Sequence, residues 1–136
     1  MPPDLELRAA TPANAEPLRA FAAAQGDAAL AALERHWQQP RGRPALTRLV
    51  LRGEAIAGYA LLAHRRLRVG IATVEAGAID ALVGPGLPTD AWEMLLGDCL
   101  GALFEEGLPL ALWSGAAAEL ATYGFAHYQL AATVEL

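Results

Sequence analysis

A break in a long apolar strand most constrains the fold of this chain. The apolar segment that ends at Leu82 and Val83 is interrupted by Gly84, Pro85 and Gly86, and a helical pattern follows. Gly and Pro at such a point leave backbone groups of the strand unpaired. The start of the following helix presents N–H groups and the positive end of the helix dipole, which favour an anion such as a phosphate. The pattern therefore predicts a sheet protein with an anion site at one strand end.

Length and charge limit the class of protein. The chain has 136 residues, which favours a single domain over residues 1–136. Its 10 basic and 15 acidic residues give a net charge of -5, so no positive surplus exists to neutralise the backbone of a nucleic acid. All the basic residues are arginine and alanine is abundant, a bacterial-like composition typical of a GC-rich genome. We expect no nucleic acid partner.

The cysteine and histidine residues predict structural roles. Cys99 is the single cysteine, so it forms no internal disulfide, and its apolar helix face predicts a core thiol. His36, His64 and His127 lack the spacing of metal ligands, so we expect no metal site. No apolar run approaches the roughly 20 residues that cross a bilayer, and the N-terminus lacks a signal segment. We expect a cytoplasmic protein with no membrane partner.

Turn and capping residues divide the chain into alternating strands and helices. The helix predicted at 90–106 is the best defined, because its apolar residues recur at helical spacing: Trp92, Leu95, Leu96, Cys99, Leu100, Leu103 and Phe104. The full predicted order is a strand at 5–8, helices from 12 to about 24 and from 27 to before Pro40, a hairpin of strands 47–52 and 56–64, a strand at 70–83, the helix at 90–106, a strand at 108–113, a helix at 116–123 and a strand at 128–135.

This order resembles the GCN5-related N-acetyltransferase (GNAT) superfamily over nearly the whole chain. The resemblance implies an α/β fold in which a central, splayed mixed sheet carries helices on both faces. Four local patterns are similar to family features: 7–15 to the opening strand and helix start, 53–60 to a hairpin with a glycine after its turn, 79–85 to the end of the fourth strand, and Tyr123-Gly124-Phe125 to the segment after the last helix.

The resemblance implies acyl transfer from acetyl-CoA, or another acyl-CoA, to the amine of a small molecule or a protein. The pantetheine arm would lie between strands 72–83 and 108–113, and the pyrophosphate would bind at the start of the helix near residue 90. No metal is implied. The implied cofactor-binding residues are Leu82, Val83, Gly84, Gly86, Thr89, Asp90 and Ala91.

The phosphate loop departs from the family pattern. The Arg/Gln-x-x-Gly-x-Gly/Ala motif falls on residues 87–92, which lack the leading arginine or glutamine and both glycines. Pro88 removes an N–H group, and Trp92 is bulky where close backbone approach is needed. Asp90 and Glu93 predict an acidic capping box that places two negative charges beside the implied anion site.

Three side chains are candidates for catalysis. Glu75 and Asp80 are the carboxylates of the strand that would supply a base to take the proton of the acceptor ammonium. Their odd spacing predicts opposite faces of a regular strand, so at most one would reach the cleft unless a bulge intervenes. Tyr123 is the candidate acid, although Leu120 occupies the position where the family commonly has its tyrosine.

Two functions follow from these observations. The first is an N-acetyltransferase with a degenerate phosphate loop. The second is a catalytically silent module of the same fold that binds a ligand or a partner, or forms a homodimer through exposed strands. The segments 37–44 and 65–68, both predicted as loops, would select the acceptor.

Overall fold

The computed structural model describes residues 4–38, 46–108 and 110–113. The predicted helix at 116–123, the predicted strand at 128–135 and Tyr123 lie outside the described residues. The elements are β1 (Leu5–Ala9), a 3-10 turn (Pro12–Asn14), α1 (Ala15–Gln25), α2 (Asp27–Gln38), β2 (Thr47–Arg52), β3 (Ala55–Val69), β4 (Ala72–Val83), α3 (Thr89–Glu105) and β5 (Ala111–Trp113). Among the described residues, none of the helices is long and apolar enough to cross a membrane.

The five strands form one mixed sheet in the order β1-β2-β3-β4-β5. The first four strands pair antiparallel, and β5 pairs parallel with β4. Helix α3 packs on one face of the sheet, where Leu95 and Leu103 join Leu62 and Ile79 in one buried cluster. Helices α1 and α2 cover the opposite face. The predicted mixed sheet with helices on both faces is therefore confirmed.

Local signals explain most of the helix ends. The Thr11 N–H donates to Asn14 Oδ1 at 2.8 Å, which caps the first turn before α1. Helix α1 is ended by Gly26, the residue after Gln25, whose φ of 133° is unfavourable for a residue with a side chain.

Phe104 was predicted on the buried stripe of α3, and this is wrong because its side chain is 80% exposed. Phe104 lies about 100° around the helix from Leu103, and so points away from the sheet.

Strand β3 is longer than predicted. Residues 65–68 were predicted as a loop, but β3 continues through them to Val69, which pairs with Ala72 of β4. Arg66 lies opposite Glu75, and Arg66 Nε is 3.2 Å from Glu75 Oε1. Opposite charges on facing strand positions stabilise such a pair. The strand pairing therefore explains why a segment with three arginines, 65–68, extends the strand rather than ending it.

Cys99 is fully buried on the sheet-facing side of α3, as the sequence predicts. Burial raises the pKa of its thiol to about 12, so almost no thiolate forms near neutral pH. We expect no reaction of the folded protein with a disulfide reagent such as DTNB at pH 8, and one thiol per chain after denaturation. Rapid labelling of the folded protein would contradict this core assignment.

Candidate active site

A β-bulge in β4 shapes the centre of the candidate site. Leu62 pairs with Ile79 and Leu61 pairs with Ala81, so Asp80 is an extra residue in β4. Ile79 packs in the cluster on the α3 face, whereas Ala81 packs with the cluster on the α1 and α2 face. Residues two apart on a regular strand share a face. The bulge therefore turns the last residues of β4 over, directly at Asp80.

The described pairing of β4 with β5 reaches Ile79, next to the bulge. In the described part of β5, Ala111 to Trp113 lie opposite Gly77 to Ile79, and the Gly77 N–H donates to the Leu110 carbonyl oxygen at 2.7 Å. Residues 80–83 of β4 have β3 on one side and no described strand on the other. A strand edge without a protein partner can pair with an extended ligand that carries amide groups.

Asp80 is held by two side chains from different elements. His36 of α2 is only 2% exposed, and its Nδ1 lies 3.3 Å from Asp80 Oδ2. Arg65 of β3 places Nη2 at 2.5 Å from the same Oδ2. In the part of the chain that the structure describes, neither of these contacts uses Asp80 Oδ1. The sequence does not reveal this three-residue arrangement, because the residues are far apart along the chain.

The pKa of Asp80 is lowered by these partners. Burial of the side chain, which is 22% exposed, would raise its pKa. The hydrogen bond with His36 and the charge of Arg65 outweigh that effect, and the net pKa lies below its usual value. Asp80 is therefore ionised at neutral pH.

Asp80, His36 and Arg65 line an open cleft together with Ala32, Arg35 and Leu61, and its volume is about 250 Å³. The cleft lies on the α1 and α2 face of the sheet, beside the bulge. Its size suits a small ligand rather than a large one.

Glu75 lies on the opposite face of β4 from Asp80, as its spacing predicts. Glu75 lies opposite Arg66 of β3. Gly77, two residues later and therefore on the same face of β4, lies against Leu103 of α3. His64 Nε2 lies 2.5 Å from Glu75 Oε2. Desolvation would raise the pKa of Glu75, but the hydrogen bonds from Arg66 and His64 lower it overall. The structure thus separates the two predicted carboxylates.

The segment after β4 forms a tight turn. The Leu87 N–H donates to the Gly84 carbonyl oxygen at 3.1 Å, with Pro85 second and Gly86, at φ 77°, third in the turn. This is the residue pattern of a type II β-turn, whose third position needs a positive φ. The turn uses the Leu87 N–H, and Pro85 has none. Of the predicted cofactor-binding residues in this turn, Gly84 and Gly86 keep N–H groups that the turn does not use.

Helix α3 begins one residue earlier than predicted. Pro88 is its N-cap, with no capping side chain, and Thr89 is its first residue. The predicted Asp90 and Glu93 capping box is therefore wrong, because Asp90 is the second helical residue. Asp90 Oδ1 instead accepts the Ala91 N–H at 3.0 Å. The first turn of α3 does contain the predicted cofactor-binding residues Thr89, Asp90 and Ala91. However, the Ala91 N–H already has the Asp90 carboxylate as its acceptor.

His36 and Arg65 are the site residues that sequence reasoning missed. His36 was predicted to have a structural role only. One signal was present, since His36 is three residues after Leu33 and shares the buried face of α2. A polar ring on such a face needs a buried partner, and Asp80 supplies it.

No family model matches the sequence, and no curated protein matches it. Solved structures do match. A GNAT family acetyltransferase from Staphylococcus aureus superposes with a TM-score of 0.66 at 12% identity, covering 98% of this chain and 99% of that chain. The chain has the GNAT fold.

Two further solved structures that superpose on this chain are described as proteins of different function. The aminoglycoside N-acetyltransferase AAC(6')-Iy, solved in complex with CoA, has a TM-score of 0.67 at 14% identity and covers 97% of this chain and 94% of its own. A transcriptional regulator from Bacillus halodurans has a TM-score of 0.65 at 12% identity, with 97% and 99% covered. At such low identity, the likeness establishes the GNAT fold alone.

Proposed function

We propose that this GNAT-fold protein is an N-acyltransferase that moves an acetyl group from acetyl-CoA to a primary amine. The observation that supports this proposal is the bulge at Asp80, a carboxylate beside residues 80–83 of β4, for which the described strands supply a partner on one side only. A thioester along these residues and an amine at the carboxylate would meet at one point. Bringing two reactants together in this way supplies much of the acceleration in acyl transfer.

Acetyl-CoA would bind along residues 80–83 of β4, on the side opposite β3. The pantetheine amides would pair with the backbone at Leu82 and Val83. The pyrophosphate would accept hydrogen bonds from the N–H groups of Gly84, Gly86 and the first turn of α3, where backbone N–H groups lack the carbonyl acceptors of later turns. The solved complex of AAC(6')-Iy with CoA supports a cofactor of this class.

Asp80 would bind the acceptor. Its Oδ1 accepts a hydrogen bond from the ammonium group and takes one proton, directly or through water. The free amine then attacks the thioester carbonyl, and the nitrogen loses its second proton to solvent as the amide forms. The oxyanion that forms can be stabilised by a backbone N–H of the bulge, and the carbonyl re-forms as the CoA thiolate leaves. His36 and Arg65 hold the carboxylate in place. Tyr123 stays the predicted proton donor to the thiolate, and Glu75 faces away from this point.

Acetyl-CoA is expected to raise the melting temperature of the protein, since a ligand that binds the folded state stabilises it. Asp90→Ala should enlarge the shift, because it removes a negative charge and releases the Ala91 N–H. Differential scanning fluorimetry with 0 to about 1 mM acetyl-CoA measures both effects.

Glu105→Ala is the matched control, because Glu105 lies at the far end of α3. Each variant is compared with its own ligand-free melting temperature. An Asp90→Ala shift smaller than that of the wild type would contradict the placement of the pyrophosphate.

A catalytically silent module is the second candidate. It is favoured by the Asp90 carboxylate in the first turn of α3, where the pyrophosphate would bind. One structural neighbour is described as a transcriptional regulator rather than as an acetyltransferase. If millimolar acetyl-CoA and CoA leave the melting temperature unchanged, the silent module is the better description.

A further inference from the structure

The cleft at Asp80 is locally positive in a protein that is negative overall. The chain carries a net charge of -5. Among the described residues, the cleft is lined by two arginines, Arg35 and Arg65, and one carboxylate, Asp80. The charge of the cleft is therefore opposite in sign to that of the chain, which favours a ligand with an anionic group.

The two arginines have different tasks. Arg65 is committed to Asp80 through the 2.5 Å contact with Oδ2. Arg35 precedes His36 on α2 and is exposed, and among the described residues no carboxylate forms an ion pair with it. A guanidinium on the wall of a small cleft can bind a carboxylate through two parallel hydrogen bonds.

We infer that the acceptor is a small amine that also carries a carboxylate, such as an amino acid. This inference rests on the proposed acyltransferase function. The ammonium group of the acceptor binds Asp80 Oδ1, and its carboxylate binds Arg35. A cleft of about 250 Å³ has room for one such molecule. A polycationic acceptor would place positive groups beside Arg35 and Arg65, where repulsion opposes binding.

Alanine and alaninamide test the inference, because they differ in the carboxylate alone. Release of CoA is measured with each amine at saturating acetyl-CoA, and rates are corrected for the fraction of free amine. We expect kcat/KM to be about tenfold higher for alanine, the effect of one charged hydrogen-bonded contact. Arg35→Gln should raise the KM for alanine about tenfold and leave alaninamide unchanged. Arg68→Gln is the matched control, since Arg68 contacts Gly70 at the far end of β3.

A binding measurement distinguishes failure of the acceptor assignment from failure of the proposed acyltransferase function. Calorimetric titration of alanine and alaninamide into the complex with CoA needs no turnover. Preference for alaninamide, or for a polyamine such as spermidine, overturns the inference while the acyltransferase proposal stands. If Arg35→Gln weakens the binding of alanine and of alaninamide equally, the inference is also overturned. Failure to bind CoA at all overturns the proposed function and the acceptor assignment together.

Discussion

Asp80→Asn is expected to lower the rate of acyl transfer about ten- to a hundredfold. Asparagine keeps the shape of the side chain, but it cannot take the proton of the acceptor ammonium and holds no negative charge to bind it. The rate of CoA release with an accepted amine measures the loss. For the wild type, the rate should rise with pH as the ammonium deprotonates. It should not fall near pH 5 through Asp80, because the pKa of that carboxyl lies below its usual value.

Glu75→Gln is the matched control and should change the rate little, since Glu75 lies on the other face of β4 beside His64 and Arg66. A large loss in Glu75→Gln with none in Asp80→Asn would reverse the assignment of the base. The free energy of unfolding, measured against pH, tests whether the folded protein stabilises the ionised carboxylate of Asp80. Because folding lowers the pKa of Asp80, its ionised form stabilises the fold above about pH 4. The stability gap between wild type and Asp80→Asn should narrow as pH falls below that value.

Gly58→Ala is expected to destabilise the fold by about 1–3 kcal/mol and to weaken the binding of acetyl-CoA. A Cβ at residue 58 would lie 2.9 Å from the Val83 carbonyl oxygen and 3.2 Å from the Gly84 Cα. These are backbone atoms, which cannot rotate away as a side chain can. The end of β4 and the turn that follows must therefore move, and both belong to the proposed cofactor site.

Gly97→Ala is the control for this substitution. Gly97 lies in α3, where an added Cβ meets nothing within 4 Å. Alanine is the better helix former by up to about 1 kcal/mol, so this variant should be slightly more stable than the wild type. Urea unfolding gives the stability of both variants, and a melting-temperature shift with acetyl-CoA reports binding. Equal stability of wild type and Gly58→Ala would contradict the close approach.

The sequence predicts most of the elements, because their signals are local. Apolar spacing predicts α3 to within one residue at each end, and the Gly53 turn predicts the hairpin of β2 and β3. The three arginines of the segment 65–68 are different. Their place in β3 depends on partners in β4 that lie 9 to 15 residues away, as in the pairs with Glu75 and Asp80. Local polarity alone gives a loop there.

The candidate site is less predictable than the fold for the same reason. Asp80 is a candidate from the sequence, but the bulge at Asp80 has no sequence signature of its own and appears only in the pairing with β3. His36 is 44 residues from Asp80, so their contact is set by how α2 packs on the sheet. The start of α3 shows a competition between local signals, in which the extended backbone of Pro88 prevails over the capping potential of Asp90.

Leu87 gives the turn after β4 an unusual anchor. Its side chain packs back against Gly84 and Gly58, and it joins the core cluster on the α3 face. The turn is therefore fixed in position by the core before any cofactor arrives. A fixed turn loses little conformational entropy on binding, but leucine adds no charged contact to a pyrophosphate. If acetyl-CoA binds there as proposed, ordering of this turn takes little from its affinity, and the missing charged contacts are what lower it.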